Sequence, residues 1–206
     1  MFKCLINYNF TPEKDWIGSD YVIYDRSDSK EFLKDFDQSK IIYTENKGQV
    51  DFDKLSYIID NYDNLPDVFL WGKTNLFKYI SKEEFEKVRH NNSFTPLLTL
   101  KHNTYNDRLG PVCFYDSGMY YERNDSWYVG QLDYKYFDSF SAFARHFHIE
   151  SKRYIPFPPG GNYILDRPTV HKYSKDFYED LRSILPYSRD PAEAHMCERA
   201  YYTIWG

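Results

Sequence analysis

The 206-residue chain has little cysteine: Cys4, Cys113 and Cys197 lie far apart and form no CxxC pair. That spacing argues against a disulfide framework and a structural zinc site, and it fits a reducing compartment. No apolar run approaches the length of a membrane span, and the opening MFKCLINYNF is too short in apolar length for a signal peptide. A soluble protein of the cytoplasm, of a cell or of an infected host, is therefore expected. Positive charge is not in surplus either, since 26 Lys and Arg face 31 Asp and Glu, a formal net charge of -5. A general nucleic-acid surface needs clustered cations, so no nucleic-acid partner is expected, although a local basic pocket is compatible with this balance. Several chemical signatures are missing. No Gly-Lys-Ser/Thr follows a glycine-rich loop, and neither GxGxxG, HExxH nor GxSxG occurs. Their absence removes the P-loop, the dinucleotide fingerprint, the zinc-protease helix and the nucleophile elbow.

What is abundant is aromatic: 21 Tyr and 16 Phe. Ordinary cores account for such a supply, and platforms for sugar rings are the other use. The length suits one domain, residues 1–206, with enough chain to bury a proper core.

The most informative stretch is Asn46–Asn75. Phe52, Leu55, Ile59 and Tyr62 recur at helical spacing, with Asp51, Asp53, Lys54 and Asp60 directed elsewhere. The helix should stop near Asn61, because Pro66 pushes the residue before it out of the α region. Val68 to Trp71 is then a continuous apolar run, the pattern of a strand covered on both faces. Lys73 and Asn75 follow at its carboxyl end, where open α/β sheets bind ligands.

Before this stretch, Lys3–Tyr8, Tyr21–Tyr24 and Ile41–Tyr43 read as strands. A helix with Asp28 and Glu31 as its capping box and Phe32, Leu33 and Phe36 as its buried face separates the last two. Alternation of this kind predicts a mainly parallel sheet with helices on its faces. After it, Ser81-Lys82-Glu83-Glu84 is a capping box, with Ile80 able to staple onto Phe85. Between Thr95 and Gln131 the apolar pieces are short: Pro96–Leu100, Val112–Tyr115, Met119–Tyr121 and Trp127–Val129. Hairpins inserted beside the first sheet are expected there. Phe140, Phe143, Ala144 and Phe147 mark another helix. Ile155 to Gly161 is read as irregular, because its prolines remove donors while its glycines open unusual backbone angles. A strand (Asn162–Leu165), a helix (about Lys175–Leu185) and a last helix from Pro191 toward Trp205 complete the chain.

On that last helix Met196, Cys197, Ala200 and Ile204 share a core arc, while His195, Glu198 and Tyr202 share another at offsets of three and seven. An imidazole beside a carboxylate suits general-base or metal-linked work if the face lines a cleft, and is a plain polar face otherwise. The Gly160-Gly161-Asn162 corner serves either as a turn or as a place where substrate approaches the backbone. Two DxD triplets, Asp35-Phe36-Asp37 and Asp51-Phe52-Asp53, fall on or near predicted helices and are read as solvated faces. His146-Phe147-His148 lacks ligand spacing for metal.

Taken together, Asn46-x-Gly48, then Leu55-x-Tyr57-Ile58-Ile59-x-Asn61-Tyr62-Asp63-x-Leu65-Pro66-Asp67 and an apolar strand, resembles the core motif of the DUF3431 family. The C-terminal part is similar as well: a Gly161–Ile164 strand, a Phe177-Tyr178-x-x-Leu181 helix, and Glu198-Arg199 with a closing Trp205-Gly206. That family has no assigned function and is grouped with the GT-A-like glycosyltransferases. The resemblance covers both ends of the chain and leaves the middle third unmatched. It implies a three-layer α/β/α, Rossmann-like nucleotide-diphospho-sugar fold, with residues 1–90 as nucleotide-binding half and residues 91–206 as acceptor half.

It also implies a glycosyltransferase, with a nucleotide sugar and a glycan or other hydroxyl acceptor as partners and Mn²⁺ or Mg²⁺ as the customary ion. Where a metal-binding DxD would end the central strand, this chain has Trp71-Gly72-Lys73. Lys73 is accordingly the candidate phosphate partner, replacing or accompanying a metal. On this reading Glu198 is the base or acceptor-binding carboxylate with His195 beside it. Asn7, Asp25, Asn46 and Asn75 are donor-binding, and Trp71, Gly160, Gly161 and Asn162 border the sugar. A non-catalytic carbohydrate-binding or assembly protein on the same fold, and a sugar-nucleotide hydrolase, are the alternatives.

Overall fold

Four apolar runs form the parallel heart of the molecule, seen in a computed structural model that describes residues 1–98 and 104–206. They are β1 (Phe2–Asn7), β2 (Tyr21–Asp25), β3 (Ile41–Tyr43) and β4 (Val68–Lys73), in the order β3-β2-β1-β4. β5 (Thr95–Pro96) is the far edge of this sheet. The chain then leaves it for a four-stranded antiparallel sheet: β6 (Tyr105–Asp107), β7 (Gly110–Asp116), β8 (Met119–Arg123) and β9 (Tyr154–Pro156). It returns as β10 (Tyr163–Asp166), antiparallel to both β4 and β5. β7 and β8 are joined by Ser117-Gly118, both at positive φ (50° and 80°), the backbone that a two-residue hairpin turn requires.

The helices are α1 (Lys14–Ile17), α2 (Gln49–Asp60), α3 (Lys82–Val88), α4 (Phe140–His146), α5 (Arg167–Val170), α6 (Lys175–Ser183) and α7 (Ala192–Trp205). Side chains alternate across a strand, so Ile6, Phe69 and Trp71 join the core beneath α2, α6 and α7, while Leu5 and Leu70 join a second core with Ile17 and Phe85 on the opposite face. Burial on both faces is why β4 reads as a continuous apolar run. The result is a three-layer α/β architecture with a mostly parallel six-stranded sheet and an antiparallel sheet appended, the latter filling most of the expected insertion.

Several expectations change in detail. The helix expected after β2 is a single 3-10 turn, Lys30–Leu33, capped by Ser29, whose hydroxyl accepts from the Glu31 amide at 3.2 Å. Asp28 is occupied elsewhere, accepting from Asn9 Nδ2 at 2.7 Å. Trp127–Val129 lies in a 3-10 turn, not a strand. Pro156 does sit in regular structure, ending β9, an edge strand where its missing donor costs no ladder bond. Of the piece Pro96–Leu100, residues 99 and 100 lie outside the described residues. The serine half of the capping box before α3 forms, with Ser81 Oγ accepting from the Glu84 amide at 3.1 Å, while Glu84 Oε2 accepts from that hydroxyl at 3.0 Å and not from the Ser81 amide.

The main correction concerns α2. Asp51, Asp53 and Lys54 are buried, not solvated, at 5%, 1% and 0% exposure. The helix is covered by the sheet on one side and by α6 and α7 on others, so its polar side faces a third layer and not water. Its start is equally constrained. Gly48 lies at φ 66° and Gln49 at φ 55°, and their amides donate to Ser188 O at 2.8 Å and Arg189 O at 3.1 Å. A Cβ on Gly48 would stand 2.8 Å from Phe52 Cβ, so only glycine fits there. Asn61 ends the helix, as expected, its Nδ2 donating to Tyr57 O at 2.9 Å.

Candidate functional site

Order reverses in the main sheet between β1 and β4, with β2 and β3 added on one side and β10 and β5 on the other. Crevices at such switch points, outside the carboxyl ends of the strands, are where open α/β sheets hold ligands. Lys73 stands at that end of β4, Asp51 in the first turn of α2, and His195 and Glu198 on α7. All four line one cavity of about 90 Å³. The helical offset of three does bring His195 and Glu198 to the same mouth, with about 25% and 21% of their side chains exposed.

Four charges meet around this cavity. Lys54 is fully buried; its Nζ donates to the Gly161 carbonyl and lies 4.4 Å from the centre of the Trp71 ring. Removal from water lowers its pKa to about 8, against the pull of Asp51. Asp51 is raised above the usual carboxylate range, chiefly by burial and further by Glu198, with Lys54 and Lys73 opposing. For Glu198 burial also pushes upward, but Lys73, Arg199, His195 and the Gly160 amide together outweigh it and hold the carboxyl below its ordinary value. That amide donates to Glu198 Oε1 at 2.8 Å, and Arg199 Nη1 stands 3.5 Å from Oε2. Two carboxylates in one cavity are thus driven apart in acidity, the usual preparation for dividing two roles.

Arg199 ties this wall to the second sheet. Its guanidinium grips Glu122 of β8 through two bonds of 2.8 and 2.9 Å, and stacks over Phe157 at 4.6 Å and Tyr128 at 4.8 Å. His195 is stacked on Tyr128, with ring centres 5.6 Å apart, and its Nε2 is 3.7 Å from Asp190 Oδ1.

The other expected site residues separate into three groups. Asn46 lines an adjoining cavity of about 150 Å³ with Tyr8, Arg26 and Arg189; Gln49 and Val50 belong to both cavities and divide them. Gly160, Gly161 and Asn162 are buried beneath the charged cluster. Asn162 Oδ1 accepts from the Lys73 amide at 2.9 Å, and a Cβ at Gly160 would meet the Tyr79 ring at 2.4 Å, so this corner shapes the site from below. Asn75 lines a separate depression with Phe10, Trp16 and Phe77.

Three residues need correcting. Trp71 has no exposed surface: its Nε1 donates to Lys54 O at 2.9 Å and its ring meets Tyr201 and Trp205 edge-on at 4.9 and 5.0 Å, so it is core and not a sugar platform. Asn7 and Asp25, 0% and 2% exposed, are engaged with each other (Asn7 Nδ2 to Asp25 Oδ1, 3.1 Å) and with Ser27 and Thr74. They brace the strand ends instead of reaching a nucleoside.

Asp51, Lys54, Arg26 and Arg189 are the members that sequence reasoning missed. The Asp51-x-x-Lys54 spacing was visible, but a charged pair three apart on a helix reads as surface unless a covering layer is known. As to metal, no group of three His, Cys, Asp or Glu side chains converges among the described residues. The two carboxylates here also share their cavity with Lys73 and interact with the buried Lys54, so this donor set does not fit a divalent cation. Larger depressions occur elsewhere, such as one of about 490 Å³ beside Arg123, but Arg123 is already paired with Asp107 and Asp125. Among the described residues no helix is long and apolar enough to cross a membrane. No family model, curated protein or solved structure matches the chain, so function is argued from this geometry.

Proposed function

We propose that the chain is a glycosyltransferase that moves a sugar from a nucleotide-diphosphate donor to a hydroxyl of a glycan or other acceptor. The observation that carries the reading is the meeting of Asp51, Glu198 and Lys73 in one cavity at the carboxyl end of β4, beside the point where strand order reverses. The β3-β2-β1-β4 core agrees with the nucleotide-diphospho-sugar fold that the DUF3431 and GT-A resemblance implies.

The reaction is a displacement at the anomeric carbon. An acceptor oxygen forms the new bond, the bond from that carbon to the diphosphate oxygen breaks, and its electron pair leaves with the nucleoside diphosphate. Asp51 takes the acceptor's proton, because burial raises its basicity while Glu198 is held ionised and weakly basic. Lys73 offsets the charge that develops on the leaving group. Glu198 fixes the Gly160 amide and supports Lys73, and His195 stands at the acceptor's entrance.

The cavities are smaller than the roughly 300–1,000 Å³ of most small-molecule sites. Gln49, which lines both cavities, and His195, which lines the smaller, are the side chains that move aside to admit a donor. Asp51→Asn tests the assignment: turnover should fall by about 10² to 10⁴ while donor affinity stays within a few-fold. Undiminished turnover in that variant overturns the role of Asp51.

A further inference from the structure

The transfer step leaves one built feature unused, the cavity above the carboxyl ends of β1 and β2. Tyr8 directly follows β1 and Arg26 directly follows β2, while Arg189 reaches them from the loop before α7. Arg26 is 3% exposed and locked, its Nε 3.1 Å from Asp53 Oδ2 and its Nη2 donating to the Lys47 carbonyl. Arg189 donates to the Tyr8 hydroxyl, and its guanidinium lies 5.4 Å from the centre of the Tyr8 ring. The two arginines differ in one respect. Asp53 compensates Arg26, whereas Arg189 makes no ion pair among the described residues, and neither does Lys73.

Resting on the donor reading above, we infer that Arg189 and Lys73, with Arg26 as the fixed wall, form the cradle for the donor's diphosphate, and that this cradle works without a divalent cation. These two cations, neither of which closes an ion pair, stand on either side of the Gln49-Val50 divider. Arg26 follows β2 and Lys73 ends β4, strands that lie two spacings, about 10 Å, apart across β1. Arginine's planar fork suits paired phosphate oxygens, and lysine supplies a point charge to the oxygen that leaves. Together they do the work that an ion held by a DxD would do, in a place whose carboxylates are already matched by lysines.

The experiment is calorimetric titration with inorganic pyrophosphate and with UDP, GDP and dTDP, each in excess EDTA. It uses the wild type, Arg189→Ala, Arg189→Lys and Lys73→Ala. Expected are binding with EDTA present, a loss of at least tenfold in Arg189→Ala, and a smaller loss in Arg189→Lys, where charge survives and the fork does not. Arg189 is exposed, so the melting curves of its variants should overlay the wild type. Pyrophosphate binding that depends on Arg189, with no nucleotide bound, supports the cradle and removes the donor reading. A nucleotide that binds equally to Arg189→Ala, or binds only after Mn²⁺ is added, overturns the cradle and leaves the donor reading standing.

Discussion

Replacing Lys54 by Met should change how stability responds to pH. Lys54 has no exposed surface, and burial lowers its pKa from 10.5 to about 8. That drop corresponds to about 3 kcal/mol. Below pH 8 the lysine is protonated in the folded and the unfolded chain alike, and the folded state carries the whole cost. Between pH 8 and 10.5 the unfolded chain keeps a proton that the folded chain has released, so this group makes stability rise with pH. Above 10.5 both forms are neutral and the cost is gone. Lys54→Met removes the titration. The stability of the wild type relative to the variant should therefore improve by about 3 kcal/mol from pH 7.5 to 10.5. At 2–4 °C per kcal/mol for a chain of this size, that is about 6–12 °C in relative Tm. Melting curves followed by circular dichroism across this range provide the assay, and the difference between the two proteins cancels the titrating groups remote from Lys54. Curves that stay parallel would mean that Lys54 keeps an ordinary pKa, and the account of a buried charge cluster would fall.

Three further outcomes are expected. Gly48→Ala puts a Cβ into a left-handed backbone position 2.8 Å from Phe52 Cβ and 3.0 Å from Leu185 Cβ; a loss of about 2–4 kcal/mol follows from the backbone penalty and overpacking. Urea unfolding measures it, and a loss under 1 kcal/mol would mean that the loop relaxes freely. Glu198→Gln keeps an acceptor for the Gly160 amide but removes the charge beside Lys73, so donor KM should rise as kcat falls; a fall in kcat alone, the pattern expected of Asp51→Asn, would exchange the two roles. Glu122→Gln removes the bidentate partner of the buried Arg199, leaving it only Glu198 at 3.5 Å, and should cost about 3 kcal/mol, whereas an unchanged urea midpoint would mean that the second sheet does not anchor α7.

Much of the frame could be read ahead because it rests on local patterns. The apolar run of β4, the stop at Asn61 and the capping box at Ser81 each depend on a few neighbouring residues. The His195–Glu198 pairing was equally accessible, since α7 is one regular helix and an offset of three survives any packing. The charges of α2 were misread for the opposite reason. A polar stripe identifies a side of a helix, but whether water or another layer meets it is decided far away. Here Arg182 of α6 donates to Ser56 at 3.2 Å, and Lys54 reaches the Gly161 carbonyl across more than half the chain. The same distance hid the Arg26–Arg189 cavity, whose two arginines come together only after the sheet has formed. Trp71 was misplaced because position at a strand end was taken for exposure, while alternation across β4 aims it inward under α7.

The central claim, that the crevice between β1 and β4 holds a nucleotide-diphosphate sugar against Lys73, is tested most directly by titrating UDP-, GDP- and dTDP-sugars into wild type and Lys73→Ala. The account predicts binding of at least one donor by the wild type and at least tenfold weaker binding by the variant. Binding of none across the panel, or equal binding by both proteins, would contradict it.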